Sequence, residues 1–192
     1  MKRNGFTLIE LAIALVIIGL LIGTVLKGRA MIAQAKVNRV ATDIHSIVAA
    51  VDTFQDRYGY LPGDLPSTAK ITLSGVPSGC YTKQSYGYIN GPTQTKCAWQ
   101  ELMSAGLVSG NINIGAGPTS PYGNPYTFGY ANSGTVTGTF IQTNGIPNTT
   151  VGELDRKYDD GLYGTGDIRD NVKYPAQGGT INGQTIMQWW AF

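Results

Sequence analysis

Residues 6–26 read FTLIELAIALVIIGLLIGTVL, an unbroken apolar run carrying one charge, Glu10, near its start. A helix of about 20 residues crosses the hydrocarbon core of a bilayer. Nothing else in the chain restricts its fold so strongly, because such a helix must end in lipid or against other apolar surfaces. A carboxylate at mid-bilayer costs on the order of 3 kcal/mol. Glu10 therefore calls for one of two solutions: a position near the interface, where water satisfies it, or a cationic partner. A secretory signal peptide has an apolar core of about 7–15 residues followed by a small-residue cleavage site. Here the run is longer, and Lys27, Gly28 and Arg29 follow it directly.

Between Phe6 and Tyr58 there is no proline and no turn cluster. Beyond Lys27 the apolar residues fall at Val37, Val40, Ile44, Ile47, Val48, Val51, Phe54 and Tyr58, the three- and four-residue steps of one helix face. A continuous helix of about 50 residues would be about 75 Å long. Its first half is then expected in lipid or among other subunits, and its second half in a core. The breakers Gly59, Pro62, Gly63 and Pro66 end it.

After about residue 59 the composition turns to Gly, Ser, Thr, Asn and Tyr, which favours turns and short strands. The stretch 98–108, AWQELMSAGLV, predicts a short amphipathic helix ended by Gly106 or Gly110. Residues 126–130 and 135–143 alternate as two strands joined through Asn132, Ser133 and Gly134. Thr150 and Glu153 have capping-box spacing ahead of a one- or two-turn helix, and Asn182-Gly183 carries a two-residue hairpin signal. The expected class is α+β, a long helix packed on a small antiparallel sheet. The expected division is 1–5 leader, 6–27 membrane-spanning helix, 28–58 amphipathic half of the same helix, and 59–192 globular head.

Cys80 and Cys97 are the two cysteines, separated by a Gly-, Pro-, Tyr- and Thr-rich stretch. A disulfide across a loop of this size contributes about 3 kcal/mol in the chain-entropy model and requires an oxidising compartment. The alternative is a pair of unrelated thiols in the cytoplasm. Charge counting, with Lys2 and Arg3 before the run and Lys27, Arg29, Lys36 and Arg39 after it, favours a cytoplasmic head. The even cysteine count in a loop-rich domain overrules it and places the head outside.

A short basic leader ending in Gly5, then Phe6, Thr7, Leu8, Ile9 and Glu10, then an apolar helix, resembles the processing signature of type IV pilins and of the pseudopilins of type II secretion. The likeness is close over residues 5–23. It implies cleavage between Gly5 and Phe6 by a prepilin peptidase, N-methylation of Phe6, and packing of the N-terminal helices into a filament core. It also gives Glu10 a partner, the N-terminus of a neighbouring subunit. Gly19 and Gly23 form a GxxxG pair that allows close helix approach. In pilin-like filaments the helix near Gly19 can also unwind, which glycine would ease; many members carry a proline about where Lys27 stands, and this sequence departs from them there.

Farther along, YGYLPGD, WQELMSAGLVSG and LDRKYDDG resemble segments of prepilin-like proteins, and SPYGNPYTF resembles a loop and strand start of the major pseudopilin. That family has a late calcium loop, which brings Asp159, Asp160 and Asp167 into view. DDGLYGTGD lacks EF-hand spacing, and a solvated, Asp-capped turn is the expected reading. No other metal or cofactor is expected.

A net charge of +2 supplies no basic face for nucleic acid. The one histidine, His45, lies beside core positions of the long helix and reads as a packed or rim residue. No P-loop, GxGxxG, HExxH or GxSxG occurs. Asn148-Thr149-Thr150 is a glycosylation sequon with frequent chance matches, and Trp189 and Trp190 read as core aromatics on a last strand. The expectation is a structural protein, not an enzyme. It would be a subunit of a type IV pilus-like filament, the precursor held in a bacterial inner membrane with its head in the periplasm. Its partners would be copies of itself or related subunits, prepilin peptidase and an inner-membrane assembly platform. The competing readings are a pseudopilin acting as a periplasmic piston and a non-polymerising single-span binding protein of the envelope.

Overall fold

The computed structural model describes residues 7–81, 85–133, 136–175 and 184–190. Helix α1 runs unbroken from Leu8 to Tyr58. Gly59 ends it in the left-handed region (φ 77°), with its N–H donating to the Gln55 carbonyl at 2.7 Å, a conformation that a side chain would strain. The chain divides into two compact units, Met1–Asn38 and Arg39–Phe192. Of the positions with helical spacing, Val37, Val40, Ile44, Ile47, Val51 and Phe54 are buried, whereas Val48 and Tyr58 are half-buried.

The second unit is α+β. Helix α2 spans Gly91–Ser104 and α3 spans Asn148–Tyr158. Strands β1 (Thr127–Ser133), β2 (Val136–Pro147), β3 (Ile168–Asp170) and β4 (Gln184–Trp190) form an antiparallel sheet in the order β1-β2-β4-β3. The last strand therefore lies inside the sheet, with Ile141 of β2 opposite Trp189 and Ile168 of β3 on the other side. Phe128, Phe140, Ile141, Ile146, Ile168, Met187 and Trp189 are buried, and the Trp99 ring of α2 stacks on Phe128 with centroids 4.5 Å apart.

Three local expectations change. The second helix starts seven residues before Ala98, at Gly91. The Asn90 N–H donates to the Gln94 side-chain carbonyl at 2.8 Å, and Pro92 sits in the first turn, where its missing N–H costs nothing. Part of the presumed loop between the cysteines is thus helical. Helix α3 begins at Asn148 rather than behind Thr150, directly after Pro147, the residue that ends β2. Thr150 does not cap it; its hydroxyl pairs with that of Tyr122 at 2.9 Å. The two predicted strands do pair, Thr127 opposite Gln142, and are longer than expected. Gly134 and the Asn182-Gly183 turn lie outside the described residues.

Two buried carboxylic acids organise the entry to the head. Gly63 (φ 78°) lies so close to α2 that a Cβ there would run into the Gln94 carbonyl. Its N–H donates to Glu101 Oε2 at 2.6 Å. The next residue, Asp64, is fully buried and accepts from the Ser85 hydroxyl at 2.6 Å and from the N–H groups of Tyr86 and Gly87. Glu101 is also fully buried, and its Oε1 has no hydrogen-bond partner among the described residues. Burial pushes the Glu101 carboxyl up to about 8, against the Gly63 N–H, which lowers it, while the nearby Asp64 charge adds to the rise.

The folded head thus keeps a proton on Glu101 between its ordinary value of 4.5 and about 8, where the unfolded chain has lost it. Stability is fully present below the lower value and falls as pH rises through the window. Thermal melts from pH 5 to pH 8.5 should show this decline, and Glu101→Gln should flatten it.

Candidate assembly helix and head

The N-terminal turn of α1 is closed by its own residues. Glu10 Oε2 accepts from the Thr7 N–H at 3.0 Å and from the Thr7 hydroxyl at 2.9 Å, and the Glu10 N–H reaches back to Thr7 Oγ1 at 3.4 Å. This is a reciprocal capping box, and the Thr-Leu-Ile-Glu spacing is the signal in the sequence that reveals it. It anchors the carboxylate at the helix N-terminus, where the helix dipole favours a negative charge.

From Leu8 to Ile32 the large apolar side chains are between 52% and 88% exposed. Moving each from water to an apolar surrounding is worth about 1.5–3 kcal/mol, so the stretch as a whole represents on the order of tens of kcal/mol. Among the described residues α1 is the one helix long and apolar enough to cross a membrane. Gly19 and Gly23 lie one turn apart on it, with no atom within 4 Å of where a Cβ would stand, so a second helix could approach closely there. The helix continues without a break through both. Gly5 and Phe6 fall outside the described residues.

The description "Prokaryotic N-terminal methylation motif" fits residues 1–26 of this chain. The chain carries the prepilin-type signature of type IV pilins and pseudopilins. No curated protein and no solved structure matches it. The prepilin signature thus opens directly into the exposed apolar stretch, and the rest of the chain has the α+β layout of a pilin-like head.

In the head Cys80 and Cys97 are joined, with Cα atoms 5.3 Å apart. The bond links the short 3-10 turn Ser78–Cys80 to the middle of α2. His45 is exposed and meets the ring edges of Tyr158 and Trp189, at centroid distances of 5.8 and 5.3 Å. It packs in a rim of aromatic rings. Asn148 is fully buried at the first position of α3, which removes the sequon from the surface. Trp189 is buried on β4.

The acidic segment lies at the end of α3 and in the loop that follows it. Asp155, Asp159 and Asp160 converge, each with a carboxylate oxygen within 4.8 Å of the others, while Asp167 is exposed and stands outside the group. The oxygens hold the loop after α3. Asp155 accepts from the Gly161 N–H at 2.6 Å and the Tyr174 hydroxyl at 2.7 Å. Asp159 accepts from the Ile168 N–H at 2.7 Å. Asp160 accepts from the Leu162 N–H at 2.8 Å and the Thr165 hydroxyl at 2.6 Å. Asp155 lies one helical turn before Asp159, a spacing that sequence reading can detect only once α3 is known to reach Tyr158.

Asp155 is fully buried at the centre of these contacts. Asp155→Ala should destabilise the head by about 2–3 kcal/mol, through two stranded donors. Asp167→Ala should stay within about 0.5 kcal/mol. Paired denaturation curves of the two variants check this.

Proposed function

We propose that this chain is a structural subunit of a type IV pilus-like filament, cleaved after Gly5, N-methylated at Phe6 and polymerised through α1. The observation that carries the reading is the methylation motif at residues 1–26 continuing into a helix whose apolar side chains stand exposed through Ile32. Such a surface is stable in lipid before assembly and against neighbouring helices afterwards, so one segment serves as both anchor and polymerisation element. The same signature serves pseudopilins, and a pseudopilin of a secretion system is the second reading it favours.

Glu10 would set the register. Its Oε2 is held by Thr7, and cleavage creates an ammonium group at Phe6 of every subunit. A carboxylate taken out of water is tolerated when a cation and hydrogen bonds meet it. An incoming subunit would then dock at the height that neutralises its neighbour's acid. The Cys80–Cys97 bond supports an oxidising compartment for the head, the periplasm for the precursor. The prepilin peptidase, related subunits and an inner-membrane platform are the partners this reading calls for.

Glu10→Ala should leave the protein inserted in the membrane and unassembled. Shearing cells and probing the filament fraction tests this, and filaments at the normal level from the variant would refute the pairing. In the unsubstituted protein, recovery in sheared filaments supports the pilus. Retention in the envelope together with a stalled exoprotein supports the secretion piston.

A further inference from the structure

Arg29 stands exposed on α1 between Leu26 and Met31, which are 61% and 66% exposed. It makes no hydrogen bond or ion pair among the described residues. In the membrane-held precursor a long side chain at this level can keep its charged end in water or among lipid phosphates. Once neighbouring helices pack on Leu26 and Met31, the guanidinium leaves water, and a cation taken out of water needs a carboxylate. Residues 1–38 hold one acid, Glu10, which Thr7 holds and which the filament reading assigns to an amino terminus. The acid for Arg29 must come from farther along the chain of another copy.

Helix α1, the element that the filament reading brings into contact between copies, carries four acids: Glu10, Asp43, Asp52 and Asp56. Asp43 is already engaged, with Arg39 Nε at 2.7 Å and the Tyr126 hydroxyl at 3.3 Å. Asp52 and Asp56 remain. Both are exposed, they lie one turn apart on one face of the helix, and neither has a partner among the described residues.

An exposed acid alone selects no partner, but Asp52 lines a cleft. About 500 Å³ in volume, the cleft opens between α1, the loop ahead of α2 and the β1–β2 pair. Its tyrosine rings, Tyr88 and Tyr130, stack with centroids 4.2 Å apart. The Ile89 N–H donates to the Thr139 hydroxyl at 3.1 Å, which ties the loop to β2. Groups already held in place lose little freedom on contact. Asp52 is the one charged group among the described lining residues, and the side-chain amide of Gln55 lies beside it. A carboxylate next to tyrosine rings suits a planar guanidinium, which pairs with the acid through two N–H groups and packs on aromatic surfaces. Lys27 offers a compact ammonium instead, and it points about 200° around the helix from Arg29.

We propose that the Asp52 cleft receives Arg29 of a neighbouring subunit. The inference rests on the filament reading above and adds to it a second electrostatic contact between copies. The two halves of this contact sit on different parts of the chain, so it repeats from subunit to subunit instead of closing a dimer.

The test uses the full chain in cells. Arg29→Asp and Asp52→Arg should each lower the protein recovered in sheared filaments by at least about tenfold, with the membrane-inserted amount unchanged. The two combined should restore it to within about threefold. A chain carrying both Arg29→Cys and Asp52→Cys, oxidised with copper–phenanthroline in whole envelopes, should give a ladder of linked oligomers on non-reducing gels that neither single substitution gives. Normal filament yield from either reversed variant, no recovery in the combination, or no ladder would each overturn the proposal; a free small cation as the occupant of the cleft gives the last of these. Those failures leave the filament reading standing when the unsubstituted chain assembles. Absence of filaments from the unsubstituted chain would remove that reading and the proposal with it.

Discussion

An apolar helix surface that water cannot accommodate governs this molecule. From Leu8 to Ile32 the large apolar side chains of α1 stand exposed, a surface that the hydrophobic effect drives into lipid or against a second helix. The absence of proline and of any turn cluster keeps the helix continuous into the head. A surface of this kind is unsuitable for a freely dissolved monomer and suited to a subunit that leaves lipid only for the company of similar helices. The prepilin signature agrees with that surface, since the proposed cleavage after Gly5 would leave a positive terminus beside it.

The head is stabilised by devices that offset a modest core. A disulfide ties a 3-10 turn to α2. Two buried acids, Asp64 and Glu101, gather the N–H groups of segments too rich in glycine and proline to pair with each other. A third, Asp155, does the same for the loop after α3. In each case a carboxylate replaces the regular backbone pairing that a helix or sheet would provide, as buried polar groups must be satisfied somewhere. The final strand lies between β2 and β3, so the sheet is complete only with the last residues of the chain in place.

The long helix, its buried face and the first hairpin were legible in the sequence because each rests on a periodic apolar pattern or on a breaker with a fixed conformation. The start of α2 was not, since Gly91 and Pro92 read locally as loop residues and become helical only through the first-turn position of the proline. The Thr7–Glu10 box was readable and is overshadowed by the apolar run that follows it. Asp167 drew attention through the likeness to a family with a late calcium loop, but the converging partner is Asp155, one turn earlier on α3. The cleft beside Asp52 is lined by residues from Asp52 to Thr139, and no local pattern announces it.

The central claim is that residues 1–5 are a leader and that Phe6 becomes a methylated, positively charged terminus able to face Glu10. The intact mass of the protein purified from its native membrane tests this most directly. The account predicts a chain beginning at Phe6 and heavier by one methyl group. A mass that retains Met1 through Gly5 would contradict it.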